Sequence, residues 1–307
     1  MNKRSERSGV RSRAGIWTEI KRNKHCYVWL APFFILFVFL CLYPACYGFY
    51  VSLTNYDGLA RMDFVGFSNY VKAFRDPKFY SSLWNTVVLW ALIVPARTIL
   101  ALLFAVLLNS KRILGRKVYQ SIVLLPYITA VAIVAIVFRI VLTTEGGLVN
   151  VLLGNLFGID PIGWLDTTAL SKVSVAMMNI WRMTGYFALV MLAGMQKIPQ
   201  SVHEAAMLDG VGPVRKFFSI TVPLMMPEIF FVSLISTIWI FQNVSDVMVL
   251  TQGGPINSST TLVYYLYQNA YEYGKMGYSA ALSFILFVLL LAFSGLLAKH
   301  YYKDMEG

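Results

Sequence analysis

Long apolar stretches alternate with short polar ones along this chain. Six windows reach the roughly 20 residues that a helix needs to cross a hydrocarbon layer of about 30 Å. They are residues 27–50, 83–108, 118–142, 170–195, 223–250 and 277–301. A backbone in lipid must satisfy its own hydrogen bonds, and runs this long do so as helices. Strands of a membrane barrel would be about ten residues long and would alternate in polarity, which these windows do not. The pattern predicts an all-α integral membrane protein with about six transmembrane helices. Three of the polar segments, 51–82, 143–169 and 251–276, are rich in Gly, Asn, Asp and Tyr and suit turns and short surface helices. No internal repeat or interrupted helix is visible in the sequence.

Composition agrees: 58% of the 307 residues are hydrophobic and 13% charged, with mean hydropathy +0.63. A soluble domain carries about 25% charged residues, so part of this apolar surface must face lipid. The placement of Lys and Arg then orients the chain. With the N-terminus inside, 17 of the 26 fall in inside segments, five in outside segments and four within the spans. That imbalance predicts both termini in the cytoplasm. Eight of the 17 lie before Cys26, which makes residues 1–26 a basic cytoplasmic segment, 27–302 the membrane domain and 303–307 a short tail. The first apolar run is too long for a signal-peptide core and lacks a small-x-small exit, so it reads as a retained span. Net charge is +11, but no basic face with interleaved aromatics points to nucleic acid. Cys26, Cys41 and Cys46 have no redox or zinc spacing.

The most informative segment is the cytoplasmic loop 196–223. Ser201 followed by Glu204 has the form of a capping box. Ala205, Ala206, Met207 and Leu208 propagate a helix, and Gly210 can end it in the left-handed conformation. Pro213 suits the first turn of a second helix that should stop near Pro223. Ala205 and Ala206 would let another surface come close, while Phe217, Phe218 and Ile220 would anchor the pair to the spans. Glu204 and Asp209 beside a negatively charged inner leaflet favour a protein partner over the lipid surface.

Glu204, Ala205, Ala206, Gly210, Ile220 and Pro223 stand in the register of the EAA loop, with Val222 where that pattern usually has Leu. The chain therefore resembles the membrane (permease) subunits of binding-protein-dependent ABC importers. Gln252-Gly253-Gly254-Pro255, Gly277-Tyr278-Ser279-Ala280-Ala281, Gly147-Leu148-Val149-Asn150 and Asn85-Thr86 extend the resemblance to about residues 25–300, specifically to the maltose-F-like half of the carbohydrate type. The large extra outer domain of some maltose permeases is absent. The resemblance implies half of a translocation pathway for a sugar or related polyol in a bacterial or archaeal inner membrane. It implies four kinds of neighbour: a second, homologous permease subunit, two ATPase subunits, an extracytoplasmic solute-binding protein and membrane lipid. It also implies that Glu204, Ala205, Ala206, Asp209 and Gly210 couple to the ATPases. The chain has no phosphate-cradling Gly-x-x-x-x-Gly-Lys-Ser/Thr, so no cofactor is expected on it, and ATP and Mg would sit on partner subunits.

Polar groups at membrane depth tend to face the protein interior. Asn179, Arg182 and Tyr186 share one face of the fourth span, and Trp239, Asn243 and Asp246, with Gln242 beside them, form a second stripe on the fifth. At 1.5 Å per residue the two stripes stand about 27 and 30 Å from the coupling loop, at similar depth. They either line the substrate route or bond helix to helix. Arg97, after Pro95, suits a kink with a partner carboxylate; Arg139 suits an interfacial position. An anionic solute such as glycerol phosphate remains an alternative, as does a stand-alone secondary transporter, although the inverted repeats and broken helices of that class are not seen. A membrane enzyme is disfavoured, because His25, His203 and His300 are scattered and form no nucleophile or zincin motif.

Overall fold

The computed structural model describes residues 24–306 except 60, 111 and 112. The basic segment before Lys24, and two of the cations in the count above, lie outside the described residues. Two units are distinguished, Met1–Val51 and Ser52–Gly307. Within the first, α1 (Lys24–Phe37) leads through a π-turn at Val38–Leu42 into α2 (Tyr43–Ser52), and the 28 residues His25–Ser52 form one apolar helical run.

The second unit is helical, with one isolated bridge, Thr54 to Phe64, and no strand among the described residues. Its elements are α3 (Ser68–Arg75), α4 (Pro77–Asn109), α5 (Arg116–Ile128), α6 (Val131–Val141), α7 (Leu148–Phe157), α8 (Leu170–Met195), α9 (Gln200–Leu208), α10 (Pro213–Lys216), α11 (Val222–Leu224), α12 (Met226–Gln242), α13 (Ser245–Leu250), α14 (Leu262–Tyr267) and α15 (Met276–Glu306). Among the described residues, four helical runs can cross a membrane by length and composition, or six if each of two bent pairs counts as one span. The expected fourth span coincides with α8.

The third and fifth spans depart from expectation, because both are interrupted. α5 and α6 meet at 89°. Pro126 removes a donor from the last turn of α5, Thr129 turns extended, and its hydroxyl bonds back to the Leu125 carbonyl at 2.9 Å. The Pro213–Leu224 run meets α12 at 67°. Pro223 does not stop that run. A π-turn at Phe217–Thr221, where the Val222 N–H reaches back to the Phe217 carbonyl, widens the helix ahead of the proline, and the chain bends only at Met225. α12 stops at Gln242, and Asn243 and Val244 separate it from α13.

α8 is the central post: 61% of its apolar window is buried, against 44% for α4 and 28% for α15. It packs along α4 through small and flexible residues, among them Ala101, Ala105, Ala188, Met183 and Met191. Without a hydrophobic driving force in lipid, such small residues allow the close contact that holds membrane helices together. Motif residues fasten the loops. Asn85 on α4 donates to the carbonyls of Asn257 and Thr260, and Thr86 accepts the Leu262 N–H at 2.9 Å, so the 257–262 segment just after Gln252–Pro255 is stapled to α4. Asn150 does the same for the 143–164 segment, bonding the Ile162 backbone and the Trp164 indole.

Asp76 caps α4, accepting the Lys78 N–H, and its other oxygen accepts the hydroxyls of Tyr265 and Tyr278. Burial pushes the Asp76 carboxyl up, but the two phenols, the Lys78 N–H and the Lys78 charge together outweigh it and hold the group below its ordinary 3.8. Burial and the Asp76 hydrogen bond push the Tyr265 hydroxyl up to about 12, which keeps it a donor. A depressed carboxyl adds stability above its unfolded pKa and loses it as pH falls through the folded value. Asp76→Asn is therefore expected to melt lower than wild type at pH 7, with the gap closing below about pH 4. Thermal unfolding in detergent across that range checks this; a gap independent of pH refutes it.

Candidate functional site

Two places in the second unit combine polar chemistry with unusual exposure or burial: a charge network within the bundle and the two-helix loop at one end of it.

The network is built on α8. Asn179 and Arg182, one turn apart, point toward α13, where Asp246 is 3% exposed. Asp246 accepts from Arg182 at 3.3 Å, from Asn243 at 2.9 Å and from the Asn179 amide. Asn243 returns the contact by accepting the Asp246 N–H at 3.1 Å, which ties the first turn of α13 to the break in the span. Asn179 also accepts from Arg97 of α4 at 3.0 Å. Arg97 is 0% exposed, lies over the Phe187 ring at 4.8 Å, and leaves Nε and Nη2 without a hydrogen-bond partner among the described residues. The chain of contacts thus runs Arg97, Asn179, Asp246, Arg182, with one carboxylate serving two guanidiniums. Burying a cation without full compensation costs several kcal/mol, and the ring and amide only partly offset it.

Tyr186, one turn beyond Arg182, stacks between Tyr127 of α5 at 4.7 Å and Trp239 of α12 at 5.5 Å. The cavity adjoining Asn179, Asn243 and Asp246 measures only about 10 Å³, room for a single water. In this conformation the network is closed.

Of the residues singled out in the two stripes, Asn179, Arg182, Asn243 and Asp246 meet directly, and Tyr186 meets Trp239. Gln242 does not join them: it ends α12, is exposed, and its side chain makes no hydrogen bond among the described residues. Arg97 and Tyr127 belong to the cluster but were outside the two stripes. Arg97 carried a signal, an ionisable group in mid-span. Tyr127 carried only its place between Pro126 and the break.

The loop 196–223 forms a helix, a glycine turn and a second helix. The capping box does not form. α9 starts two residues earlier, with Pro199 at the N-cap and no side-chain cap, and Glu204 instead accepts from Gln200 at 2.9 Å. Pro199 fixes the entry with its own dihedral angle, which leaves Ser201 inside the first turn. The C-terminus follows expectation. Gly210 sits at φ 66°, its N–H bonds the Met207 carbonyl, and the Val211 N–H bonds the Ala206 carbonyl, a Schellman turn. Asp209 at the C-cap is exposed. The alanines divide: Ala206 is 3% exposed and packs within the chain, while Ala205 faces out. Phe217 packs against the core around Met191 and Met225, whereas Phe218 is exposed and anchors nothing. Met207, Leu208, Val214 and Phe218 leave an apolar surface uncovered, with Leu208 90% exposed. A cavity of about 510 Å³ opens beside it, between Glu204, Lys216, Arg116 and the end of α4 at Asn109.

The model of the family described as "Binding-protein-dependent transport system inner membrane component" matches residues 97–302. The chain is 33% identical over 276 residues to the sulfoquinovosyl glycerol transport system permease protein of Agrobacterium fabrum, covering 89% of each. It is 34% identical over 284 residues to the arabinooligosaccharides transport system permease protein of Bacillus subtilis, covering 91% of this chain and 89% of that one. Among solved structures it is similar to a chain of a bacterial ABC transporter involved in the import of the acidic polysaccharide alginate. There the TM-score is 0.78 and the identity 23%, with 94% of this chain and 98% of the other covered. At that identity the likeness speaks for the fold.

Proposed function

The chain belongs to the binding-protein-dependent transport system inner membrane component family, and we propose that it forms half of the translocation pathway of an ABC importer for a sugar or related polyol. A second, homologous permease subunit supplies the other half, two ATPase subunits bind and hydrolyse ATP with Mg, and an extracytoplasmic solute-binding protein delivers the solute. Both termini and the 196–223 loop are cytoplasmic, in the inner membrane of a bacterium or archaeon.

The observation that carries this reading is the 196–223 loop, a folded helix pair whose outer surface, Met207, Leu208, Val214 and Phe218, is apolar and uncovered. Exposed apolar patches on a polar rim suit a protein interface. Glu204, Ala205, Asp209 and Gly210 present the contact, and Ala206 holds the pair to the bundle. Asn179, Arg182, Tyr186, Trp239, Asn243 and Asp246, with Gln242 at the edge, are assigned to the pathway, where aromatic faces and amide and carboxylate groups suit a hydroxyl-rich solute.

Leu208→Asp changes a side chain that touches little of its own chain. It is expected to leave the melting temperature within about 2 °C of wild type, as surface changes do, while at least tenfold less ATPase co-purifies. Undiminished ATPase recovery would refute the coupling role. Uptake of a radiolabelled sugar panel by the reconstituted complex tests the solute. One observation favours a second reading, an acidic solute such as glycerol phosphate: the network holds two guanidiniums to one carboxylate. Uptake of the phosphate ester with no uptake of neutral sugars would select it.

A further inference from the structure

At the end of the second unit away from the 196–223 loop, three cations surround one cavity. It measures about 540 Å³ and is lined by Lys72, Arg75, Asp76, Tyr265, Lys275 and Tyr278, among others. α4 fixes its position. Asp76 caps the first turn of this helix, and Asn109, its last residue, lines the cavity beside the 196–223 loop. Its 33 residues span about 50 Å, well beyond the roughly 30 Å of a hydrocarbon core. The two cavities therefore open at opposite ends of one membrane-crossing helix.

Lys72, Arg75 and Lys275 are exposed, and none of them forms an ion pair among the described residues. Lys72 lies 5.0 Å over the Tyr278 ring, and Lys275 lies 5.6 Å over that of Tyr273. Asp76, the one carboxylate lining the cavity, is already occupied by two phenols and a backbone N–H. Its oxygens are committed to neutral donors, so three cations share the cavity with one negative charge and none of them is paired with it. Phe67 and Phe74 of the same segment and Tyr273 are exposed large rings. Aromatic rings beside Arg and a polar rim are what protein interfaces collect.

We propose that this cavity receives an acidic surface element of the solute-binding protein, whose carboxylates enter between Lys72, Arg75 and Lys275. The inference rests on the importer reading above and adds the charge and place of the docking contact. A protein surface fits better than a free anion. The cations are long side chains at a wet rim, and a small anion there would gain little from donors that water also reaches. Many weak charge contacts spread over a protein face instead steer encounter and fix orientation.

The test uses the intact complex in nanodiscs of zwitterionic lipid, with ATPase activity titrated against its own solute-binding protein. The triple variant Lys72→Glu, Arg75→Glu, Lys275→Glu is expected to raise the half-saturating concentration by tenfold or more, since charge reversal at an interface slows association. Excess binding protein should restore the rate. Lys72→Gln with Lys275→Gln should fall between, and the wild-type dependence on salt should flatten in the triple variant. Equal half-saturation and equal salt dependence in wild type and triple variant would overturn the inference while leaving an importer that still responds. A difference that appears only with anionic lipid, at any level of binding protein, would assign the cations to headgroups and overturn it too. A wild-type complex that no solute-binding protein stimulates would remove the importer reading itself, and this inference with it.

Discussion

Asp246→Asn is expected to be among the most damaging single substitutions in this chain, with a loss of about 3–5 kcal/mol from breaking a buried ion pair. The change keeps the shape of the side chain and removes the one negative charge that Arg182 contacts at 3.3 Å and Arg97 reaches through Asn179. Two guanidiniums would remain inside the bundle with no anion. A double substitution separates the contributions of the two cations. Adding Arg97→Met to Asp246→Asn removes one of the stranded cations and should recover much of the loss, because an apolar side chain of similar length replaces a charge that is 0% exposed. Arg182→Met in the same background should recover less, since Arg182 retains partial exposure and can still reach water. Melting temperature and membrane yield, measured together for the four proteins, decide this. A wild-type melting temperature for Asp246→Asn, or no gain from Arg97→Met, would refute the electrostatic account.

The second large effect is expected at Gly185, where α8 crosses α5. A Cβ placed there would come within 1.8 Å of the Val123 carbonyl oxygen and 2.7 Å of its carbon. These are backbone atoms, and no rotamer change relieves the contact. Gly185→Ala must push the two helices apart, and overpacking of this kind costs about 1–3 kcal/mol. Tyr186 follows directly in sequence and Tyr127 lies one turn beyond Val123, so the same displacement opens their 4.7 Å stack. Uptake should therefore fall by more than the loss of stability accounts for. Uptake and thermal unfolding of Gly185→Ala, both unchanged, would show that the crossing tolerates a methyl group.

How much of this could be read from the sequence follows the range of the interactions. α8 was legible to the residue because both its ends are set by composition. The i, i+3, i+7 spacing placed Asn179, Arg182 and Tyr186 on one face, and that face does meet Asn243, Asp246 and Trp239. The Gly210 turn was legible because left-handed backbone is a local demand. Three things were not. The 89° break between α5 and α6 sits in an unbroken apolar window, and hydropathy does not register a bend. The start of α9 was misplaced because Pro199 overrides the cap pattern that follows it. Arg97 was visible as an ionisable group but not as a partner of Asn179, 82 positions away, since the pairing exists only once α4 lies against α8. Gln242 fails for a related reason. Helical spacing put it near Asn243, yet the helix ends at that residue and the side chain is left outside.

The two-residue gap at Asn243 and Val244 has a mechanical meaning. The one carboxylate that serves both arginines is carried by a six-residue helix attached through a joint, not by a long rod. A swing at that joint would draw the anion from its cations before the rest of the span moved. Coulomb attraction between Asp246 and Arg182, 3.3 Å apart, opposes such a swing.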